Sequence, residues 1–358
     1  MRKCYTRPCN FYYGSYARKL IEEKKAFSLT GRTNIAFDQV EVFHRKKKQI
    51  VESKFYSIKE IKQFDKEILQ TIKKDLKNII SKRKSICGLK FDNPKIMGAL
   101  NITPDSFSDG GLFFEKTKAY DQVKLMINSG ATIIDIGGES TRPGSKTIDE
   151  KDEWQRIKNT IIKVKKNFPK IPLSLDTRKS YVMSNGIENG VDIINDVSGL
   201  NFDKRSFDLI NSKKKSFILH HMQGTPETMQ KNPTYEDVLL DIFDFFESKI
   251  NFCTKKNYRK EFIILDPGIG FGKNLDHNLR LMSKISIFYS LGCPILIGTS
   301  RKRFIEHIVT KFDTLDRTGG TLASVLYGLS QGVQIFRVHN VKEINQGILV
   351  FNKILNTN

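Results

Sequence analysis

The sequence has few cysteines and no long apolar run, and these two shortages exclude several protein classes. Its five cysteines are an odd number, and none of them forms a Cys-x-x-Cys pair. Disulfide scaffolds and zinc ribbons need closer, paired spacing, so free thiols are expected. No stretch approaches the ~18 consecutive apolar residues of a membrane helix, and no apolar signal region follows the basic N-terminus. The sequence therefore supports neither secretion nor membrane insertion, and a cytoplasmic location is expected.

Nucleotide-binding motifs are also absent, although the glycine-rich segment 266–273 invites that interpretation. A P-loop needs four residues between its two glycines and a Ser or Thr after the lysine. Here three residues separate Gly268 from Gly272, and Asn274 follows Lys273. The dinucleotide spacing Gly-x-Gly-x-x-Gly fails as well. These glycines instead favour a loop that closes around a flat ligand, with Phe271 packing on that ligand.

Acidic residues are scarce relative to basic ones, and the formal net charge is +21. Residues 1–93 hold 23 Lys and Arg against 10 Asp and Glu, which is +13 of that total. Excess Lys attracts nucleic acid, anionic membranes or anionic substrates. No motif that interleaves aromatic and basic residues, such as an RNA-recognition signature, accompanies the charge. Nucleic-acid binding is therefore not expected to be the main role.

Short apolar runs with the length of buried strands alternate with amphipathic helical segments from Lys95 to the C-terminus. Strands that alternate with helices pair in parallel through right-handed crossovers. Eight such units match the size of a (β/α)8 barrel, so the predicted fold class is α/β, a TIM barrel. A doubly wound open sheet is the alternative, because a sequence pattern does not fix the number of strands. The eight runs are 95–100, 132–138, 172–177, 192–196, 216–222, 262–268, 294–300 and 334–339.

Residues 1–93 are predicted to form a small α+β or helical extension before a barrel domain at 94–358. A helix is expected over 15–25 and a strand over 35–42, with a basic linker or exposed edge at 44–48. Segment 57–83 carries an apolar stripe at helical spacing and opens with a capping box between Ser57 and Glu60. Packing of this helix on the barrel or within a small preceding domain is favoured over binding to a partner or membrane.

Polar residues occur at the ends of the predicted strands, where the active site of a TIM barrel lies. Asp135 and Asp176 each close an apolar run, and buried carboxylates usually have a partner. In isolation, Asp176 fits a helix N-cap equally well, and Asn195 fits a turn. His221 is expected to be structural, because a core histidine with a satisfied hydrogen bond is the common outcome.

Six segments taken in order closely resemble the motifs of the dihydropteroate synthases. The resemblance covers about residue 95 to the C-terminus and does not extend into residues 1–93. It implies that p-aminobenzoate displaces pyrophosphate from 6-hydroxymethyl-7,8-dihydropterin diphosphate. The segments are 101–111, 135–144, 221–224, 266–273, 298–302 and 337–339.

The resemblance also implies a role for individual residues and a Mg²⁺ cofactor. Asn101 would be the protein ligand of Mg²⁺, an ion that retains water and binds diphosphate oxygens. Diphosphate is assigned to Thr141, Arg142, Arg337 and His339, and the pterin to Asp176, Asn195, Asp266 and Lys302. The p-aminobenzoate pocket is assigned to Phe107, Pro143, Phe271 and Ser300. Amide groups at a helix start formed by Ser300, Arg301 and Lys302 would hold the p-aminobenzoate carboxylate.

The resemblance further suggests a homodimer, and two other functions stay open at this point. A pterin-dependent methyltransferase shares the barrel and the pterin pocket, but needs no site for an arylamine carboxylate. A basic scaffold or nucleic-acid binder acting through residues 1–93 is the non-enzymatic alternative. The reaction product identifies a methyltransferase, because it would move a methyl group and would not form dihydropteroate from p-aminobenzoate. A salt-dependent nucleic-acid binding assay on a protein that lacks residues 1–93 tests the second alternative.

Overall fold

The chain begins with a four-stranded antiparallel sheet and two helices. The computed structural model describes residues 4–45, 51–103, 112–309 and 317–357. The central strand β3 pairs with β1 along one edge and with β2 and β4 along the other. The elements are β1 Cys4–Tyr13, α1 Gly14–Glu22, β2 Phe27–Leu29, β3 Arg32–Arg45, β4 Val51–Ser57 and α2 Lys66–Ile80.

The predicted helix and strand before residue 45 are confirmed, but the helix predicted over 57–83 is shorter. Ser57 is the last residue of β4, and Glu60 accepts its backbone N–H at 2.6 Å, so only half of the capping box forms. Phe64 is extended and packs edge-to-face on Tyr56, with ring centroids 4.6 Å apart, which turns the chain back. Asp65 then caps α2 by accepting the N–H of Ile68. The basic linker was also wrong at its start, because β3 continues through Arg45.

Eight parallel strands form the second sheet, and all eight predicted strands are confirmed. The first six strands of this sheet pair in chain order. The eighth strand pairs with the first on one side and with the seventh on the other. A parallel bridge between Leu265 and Ile295 joins the two ends of this order, so the sheet closes into a barrel. The strands are β5 Lys95–Asn101, β6 Ile133–Gly137, β7 Leu173–Asp176, β8 Ile193–Asp196, β9 Ser216–His220, β10 Ile263–Asp266, β11 Leu296–Ile297 and β12 Ile335–Val338.

Helices follow the strands and cover the outside of the barrel. Their apolar faces join the outward-facing strand residues in one large buried cluster. Among the described residues, no helix is both long enough and apolar enough to cross a membrane. The helices are α3 Leu112–Asn128, α4 Glu150–Asn167, α5 Ser180–Glu188, α6 Ser206–Ser212, α7 Val238–Lys255, α8 Leu275–Ser283, α9 Arg303–Val309, α10 Thr318–Ser330 and α11 Val341–Leu355.

The segment that leads into β5 closes the N-terminal end of the barrel. Ile86, Leu89 and Phe91 are buried in one cluster with a residue from each of seven barrel strands. Arg83, also buried, donates to the carbonyl oxygen of Tyr289 at 3.1 Å. The strand residues of this cluster are Met97, Ile133, Ile193, Ile218, Ile264, Leu296 and Ile335. The open end of the barrel is therefore the opposite one, where the strands finish.

The N-terminal sheet packs on the flank of the barrel rather than standing apart from it. The ring of Tyr5 meets Phe243 of α7 edge-to-face, and its hydroxyl donates to Asp244 at 2.9 Å. Glu41, a buried residue of β3, pairs with Arg7 at 2.7 Å and with Lys284 at 2.9 Å. Helix α2 also contacts the barrel, because Asn78 donates to the carbonyl oxygen of Ser290 at 2.7 Å, and this confirms the packing predicted for that helix.

Candidate active site

The polar residues at the strand ends converge on one cavity of about 1230 Å³ at the C-terminal end of the barrel. This convergence follows from the parallel order, because all strands then finish on the same side. Of the predicted site residues, Phe107 lies outside the described residues. All the others line the cavity: Asn101, Thr141, Arg142, Pro143, Asp176, Asn195, Asp266, Phe271, Ser300, Lys302, Arg337 and His339.

Arg337 organises a buried group of acceptors on one wall of this cavity. Its Nε donates to Asp135 Oδ2 at 2.6 Å, and its Nη2 donates to Asp176 Oδ2 at 2.9 Å. Asn195 Nδ2 donates to the same Asp135 oxygen at 3.1 Å. Within the described residues, the buried Oδ1 atoms of Asp176 and Asn195, which line the cavity, accept no hydrogen bond, and neither does Oδ1 of Asp135, which does not line it. Buried acceptors without donors are costly, so this wall suits a ligand rich in N–H groups.

The charges on this wall depend on burial as well as on pairing. Burial raises the pKa of Asp176 to about 7, against the opposing effect of Arg337. For Arg337, burial alone would lower the pKa, and the charges of Asp135 and Asp176 together raise it above the ordinary value. Arg337 is therefore always charged, whereas Asp176 can gain a proton near neutral pH.

Asp266, which is buried, and Lys302, which is partly exposed, are two further charged groups that line the cavity. Asp266 Oδ1 accepts the N–H of Gly268 at 2.8 Å. Burial raises the pKa of Asp266 to about 6 and lowers that of Lys302 to about 7. The Lys302 ammonium lies 3.8 Å from the ring centroid of Phe271. Phe271, predicted for the p-aminobenzoate pocket, thus lies beside the residues predicted for the pterin.

The glycine-rich loop after β10 comes very close to the end of β9. Gly268 has φ +68°, and a Cβ at this position would lie 2.0 Å from the carbonyl oxygen of His221. Phe271 meets the ring of His220 edge-to-face at 4.6 Å. Lys273 is buried, donates to the Phe271 carbonyl at 2.8 Å and lies 3.1 Å from His221 Nδ1. His221 is not among the residues that line the cavity, which agrees with the structural role predicted for it.

The remaining wall of the cavity is basic. Ser300 Oγ lies 3.0 Å from His339 Nδ1 and accepts the backbone N–H of His339 at 3.3 Å. Burial, with the nearby charges of Arg337 and Arg301, lowers the pKa of His339 to about 3, so this imidazole is neutral. Arg142 is exposed at the cavity rim. An anion entering here meets positive charge and neutral N–H donors.

One detail of the prediction is wrong. Residues 300–302 form a turn with Arg301 in the left-handed region, and α9 begins only at Arg303. Ser300 therefore contributes a hydroxyl held by His339 rather than the first amides of a helix. Arg337 bonds to two carboxylates, which leaves only Nη1 of its three nitrogens without a partner in the described part of the chain, and its contact with the diphosphate stays a prediction.

The sequence analysis assigned no role to several residues that line the cavity, among them His220 and Lys273. His220 is the last residue of β9, the position that Asp176 and Asp266 hold on their own strands. The expectation that polar residues at strand ends form the site also applies to His220. Attention went instead to the neighbouring His221, which opens the recognised segment 221–224. Lys273 stands within a recognised motif and carries no separate signal.

A metal at this site would depend on Asn101 and on the substrate. Asn101 ends β5 at the cavity wall and has an amide oxygen of the kind that Mg²⁺ accepts. In the described ranges, no three or more His, Cys, Asp or Glu side chains gather into a metal-binding cluster. A single neutral ligand fits Mg²⁺ that arrives on a diphosphate and keeps several waters.

Known proteins resemble this chain over the barrel. The family described as pterin binding enzyme matches residues 97–339. The dihydropteroate synthase of Escherichia coli K12 is 39% identical over 267 residues, which is 75% of this chain and 94% of that protein. The Yersinia pestis dihydropteroate synthase, solved in a sulfonamide drug complex, superimposes with a TM-score of 0.72 at 35% identity, covering 77% of this chain and 100% of that one.

A second solved structure gives a similar match. The Xanthomonas albilineans dihydropteroate synthase with 4-aminobenzoic acid has a TM-score of 0.72 at 32% identity, covering 77% of this chain and 99% of that one. That enzyme has also been solved in complex with 7,8-dihydropteroate. These matches cover about three quarters of the chain, as the resemblance read from the sequence does.

Proposed function

The chain belongs to the pterin-binding enzymes as a dihydropteroate synthase, and on that premise we propose how its own residues carry the reaction. The reaction joins p-aminobenzoate to 6-hydroxymethyl-7,8-dihydropterin diphosphate, giving 7,8-dihydropteroate and pyrophosphate. The observation that carries the proposal is the wall of buried, unpartnered acceptors facing a basic wall across one cavity. Such a cavity matches a substrate with a donor-rich heterocycle at one end and an anion at the other.

The pterin ring would lie against the acceptors at the base of the cavity. Its amino-pyrimidine edge presents N–H donors, and a carboxylate such as Asp266 can accept two of them in one plane. Asp176 and Asn195 would accept further ring N–H groups with their unpartnered Oδ1 atoms. Lys302, whose ammonium lies over Phe271, would donate to a ring acceptor. The 7,8-dihydropteroate bound by the Xanthomonas enzyme supports a pterin ligand for this fold.

The diphosphate would lie at the basic wall. Arg142, Thr141, His339 and the remaining Nη1 of Arg337 would donate to its oxygens. These donors are fixed before the reaction, and such donors stabilise charge as it develops. We propose an SN1-like step in which the C–O bond breaks and pyrophosphate leaves with the bonding electrons. The cation on the pterin methylene is delocalised into the ring and lies near Asp176 and Asp266.

The aniline nitrogen of p-aminobenzoate would then form the new C–N bond and release one proton. Pro143 and Phe107, with Phe271, would line its ring, and Ser300 would lie beside its carboxylate. The Ser300 hydroxyl would donate to His339 Nδ1, which leaves the Nε2–H of the neutral imidazole free to donate to the diphosphate. Ser300 is held by His339, so its position is fixed relative to the diphosphate donors. Holding the amine next to the methylene replaces a bimolecular encounter with an intramolecular one.

We also propose that Mg²⁺ accompanies the diphosphate, with Asn101 as its protein ligand. When bound, this ion would neutralise part of the charge on the leaving group. A homodimer is proposed too, with support from exposed apolar residues on one pair of helices. Leu349, Val350 and Ile354 of α11 and Tyr327 of α10 are between 42% and 64% exposed. The cytoplasmic location stays a prediction.

Product analysis tests the proposed function. Purified protein is incubated with the pterin diphosphate, with and without p-aminobenzoate and with and without Mg²⁺. We expect pyrophosphate and 7,8-dihydropteroate in equal amounts, and only when the pterin diphosphate, p-aminobenzoate and Mg²⁺ are all present. A methyl group transferred from a methylated pterin, with no dihydropteroate formed, would identify a pterin-dependent methyltransferase instead.

A further inference from the structure

His220 is a buried histidine whose ring is fixed beside Asp266 at the base of the cavity. It is 3% exposed, ends β9 and lines the cavity. Its Nδ1 lies 3.0 Å from the carbonyl oxygen of Val197, and its ring is edge-to-face with Phe271. A Cβ on Gly268 would lie 2.9 Å from His220 Cε1, so the glycine loop also presses against the ring. The ring therefore has one orientation.

The contact with Val197 determines which nitrogen carries the proton. A carbonyl oxygen only accepts hydrogen bonds, so Nδ1 must be the N–H of a neutral imidazole. Burial lowers the pKa of His220, and the charges of Lys273 and Lys302 lower it further, so the ring stays neutral. Nε2 is consequently a bare acceptor with its lone pair directed away from the backbone.

This bare nitrogen lies 4.0 Å from Asp266 Oδ2. The other oxygen of Asp266 accepts from Gly268, which leaves Oδ2 facing the cavity beside His220. Two acceptors at this distance cannot bond to each other and repel unless a donor stands between them. A ligand atom that carries two N–H bonds could donate to both His220 Nε2 and Asp266 Oδ2 and so satisfy both acceptors.

An amino group fits this pair of acceptors. An amino nitrogen about 2.9 Å from each acceptor would see them about 90° apart, so its two N–H bonds would each bend by only about 15°. A ring N–H has a single hydrogen and can satisfy only one of the two. A pterin carries one such group, the exocyclic amine at C2, and its neighbouring N3–H can still reach the Asp266 carboxylate.

We propose that His220 is a specificity-determining residue whose Nε2 accepts one hydrogen of the pterin 2-amino group while Asp266 accepts the other. This inference rests on the proposed function, since it concerns the same pterin pocket. It adds a contact that rejects pteridines lacking the amine. Without that group, two buried acceptors are left facing each other, and a site with unpaired buried acceptors discriminates strongly.

The affinities of two ligands, measured for the wild-type protein and three variants, test this role. The ligands are 6-hydroxymethylpterin and the same 4-oxopteridine without its 2-amino group, and calorimetry measures both affinities. His220→Phe and His220→Met remove the acceptor and keep a side chain of similar bulk. Any general disturbance of the pocket weakens both ligands alike, so it cancels in the ratio of their affinities. His221→Phe, an adjacent histidine outside the cavity lining, is the matched control.

We expect the preference of the wild-type protein for the amino ligand to fall about tenfold in both His220 variants, the size of one hydrogen bond. Relative to the amino ligand, the deaminated ligand should gain affinity, because it no longer leaves the His220 acceptor unpaired, and His221→Phe should keep the wild-type preference. An unchanged preference in the His220 variants, or an equal loss in His221→Phe, overturns this inference alone. Failure of the wild-type protein to bind either ligand overturns the proposed function together with it.

Discussion

The guanidinium of Arg337 bonds to Asp176 Oδ2 at 2.9 Å across the mouth of the barrel and leaves Oδ1 of the same carboxylate without a donor. One side chain thus compensates the buried charge of Asp176 while keeping half of its acceptor capacity for a ligand. Because Arg337 also holds Asp135, the two aspartates and the arginine form one unit. We interpret this unit as the frame on which the pterin is oriented.

Arg337→Ala should reduce both stability and turnover. The substitution leaves two buried carboxylates without their cation, which typically costs about 3 kcal/mol of unfolding free energy. Loss of a fixed donor should lower turnover about 100-fold. Urea unfolding and pyrophosphate release measure the two effects. The double variant Arg337→Ala, Asp135→Asn should recover part of the stability and none of the activity. Normal kinetics in Arg337→Ala would contradict the assignment of Arg337 to the diphosphate.

Pterin binding should strengthen as the pH rises from 5 to about 7. Burial raises the pKa of Asp266 to about 6, and only the ionised carboxylate accepts two N–H bonds. Protonation at low pH therefore competes with the ligand, and the affinity should rise about tenfold over this range. Titration calorimetry with 6-hydroxymethylpterin measures it without a diphosphate that would itself ionise. Asp266→Asn should bind weakly with a flatter profile, and an equally steep profile in that variant would exclude Asp266 as the titrating group.

Gly268→Ala should abolish pterin binding, and Gly144→Ala is its matched control. Both glycines have positive φ, +68° and +85°, so both alanines carry backbone strain of about 1 kcal/mol. Only the first also places its Cβ 2.0 Å from a carbonyl oxygen, because nothing lies within 4 Å at Gly144. The loop of Gly268 must then shift away from His220 and Asp266. Equal affinity losses in the two variants would show that strain alone, and not the close approach, matters.

Phe91→Ala should destabilise the barrel without changing its chemistry. Phe91 is 4% exposed in the cluster that closes the N-terminal end, opposite the active site. Removing a buried phenylalanine side chain typically costs about 3 to 5 kcal/mol. Urea unfolding measures the cost, and kcat at low temperature should stay near the wild-type value. Phe55→Ala, at a residue 57% exposed, should change stability by less than about 0.5 kcal/mol. A large fall in kcat for folded Phe91→Ala would contradict the separation of the two ends.

The sequence predicted the barrel and the composition of its mouth because both depend on local patterns. Apolar runs ending in polar residues mark strands and their ends, and parallel order brings those ends together. The partners of Arg337 were not predictable in this way. The two-residue spacing of Arg337 and His339 indicates that both lie on one face of the strand. Whether the Arg337 guanidinium bonds to a carboxylate depends on side chains of β6 and β7, which are distant in the sequence.

Errors at helix starts have a similar origin. The capping box at Ser57 is a sound local signal, but the packing of Phe64 on Tyr56 delays the helix to Asp65. Likewise, Ser300 precedes a turn because Arg301 takes a left-handed conformation, with its guanidinium bonded to Asn340 at 2.8 Å. In both cases a contact distant along the chain overrides a local preference.

A crystal structure of the protein with 7,8-dihydropteroate is the most direct test of the central claim. The account predicts that the amino-pyrimidine edge lies about 3 Å from Asp266, with Asp176 and Asn195 on the remaining ring donors and the benzoate carboxylate near Ser300. A pterin ring turned away from these acceptors, or bound outside the cavity at the strand ends, would contradict it.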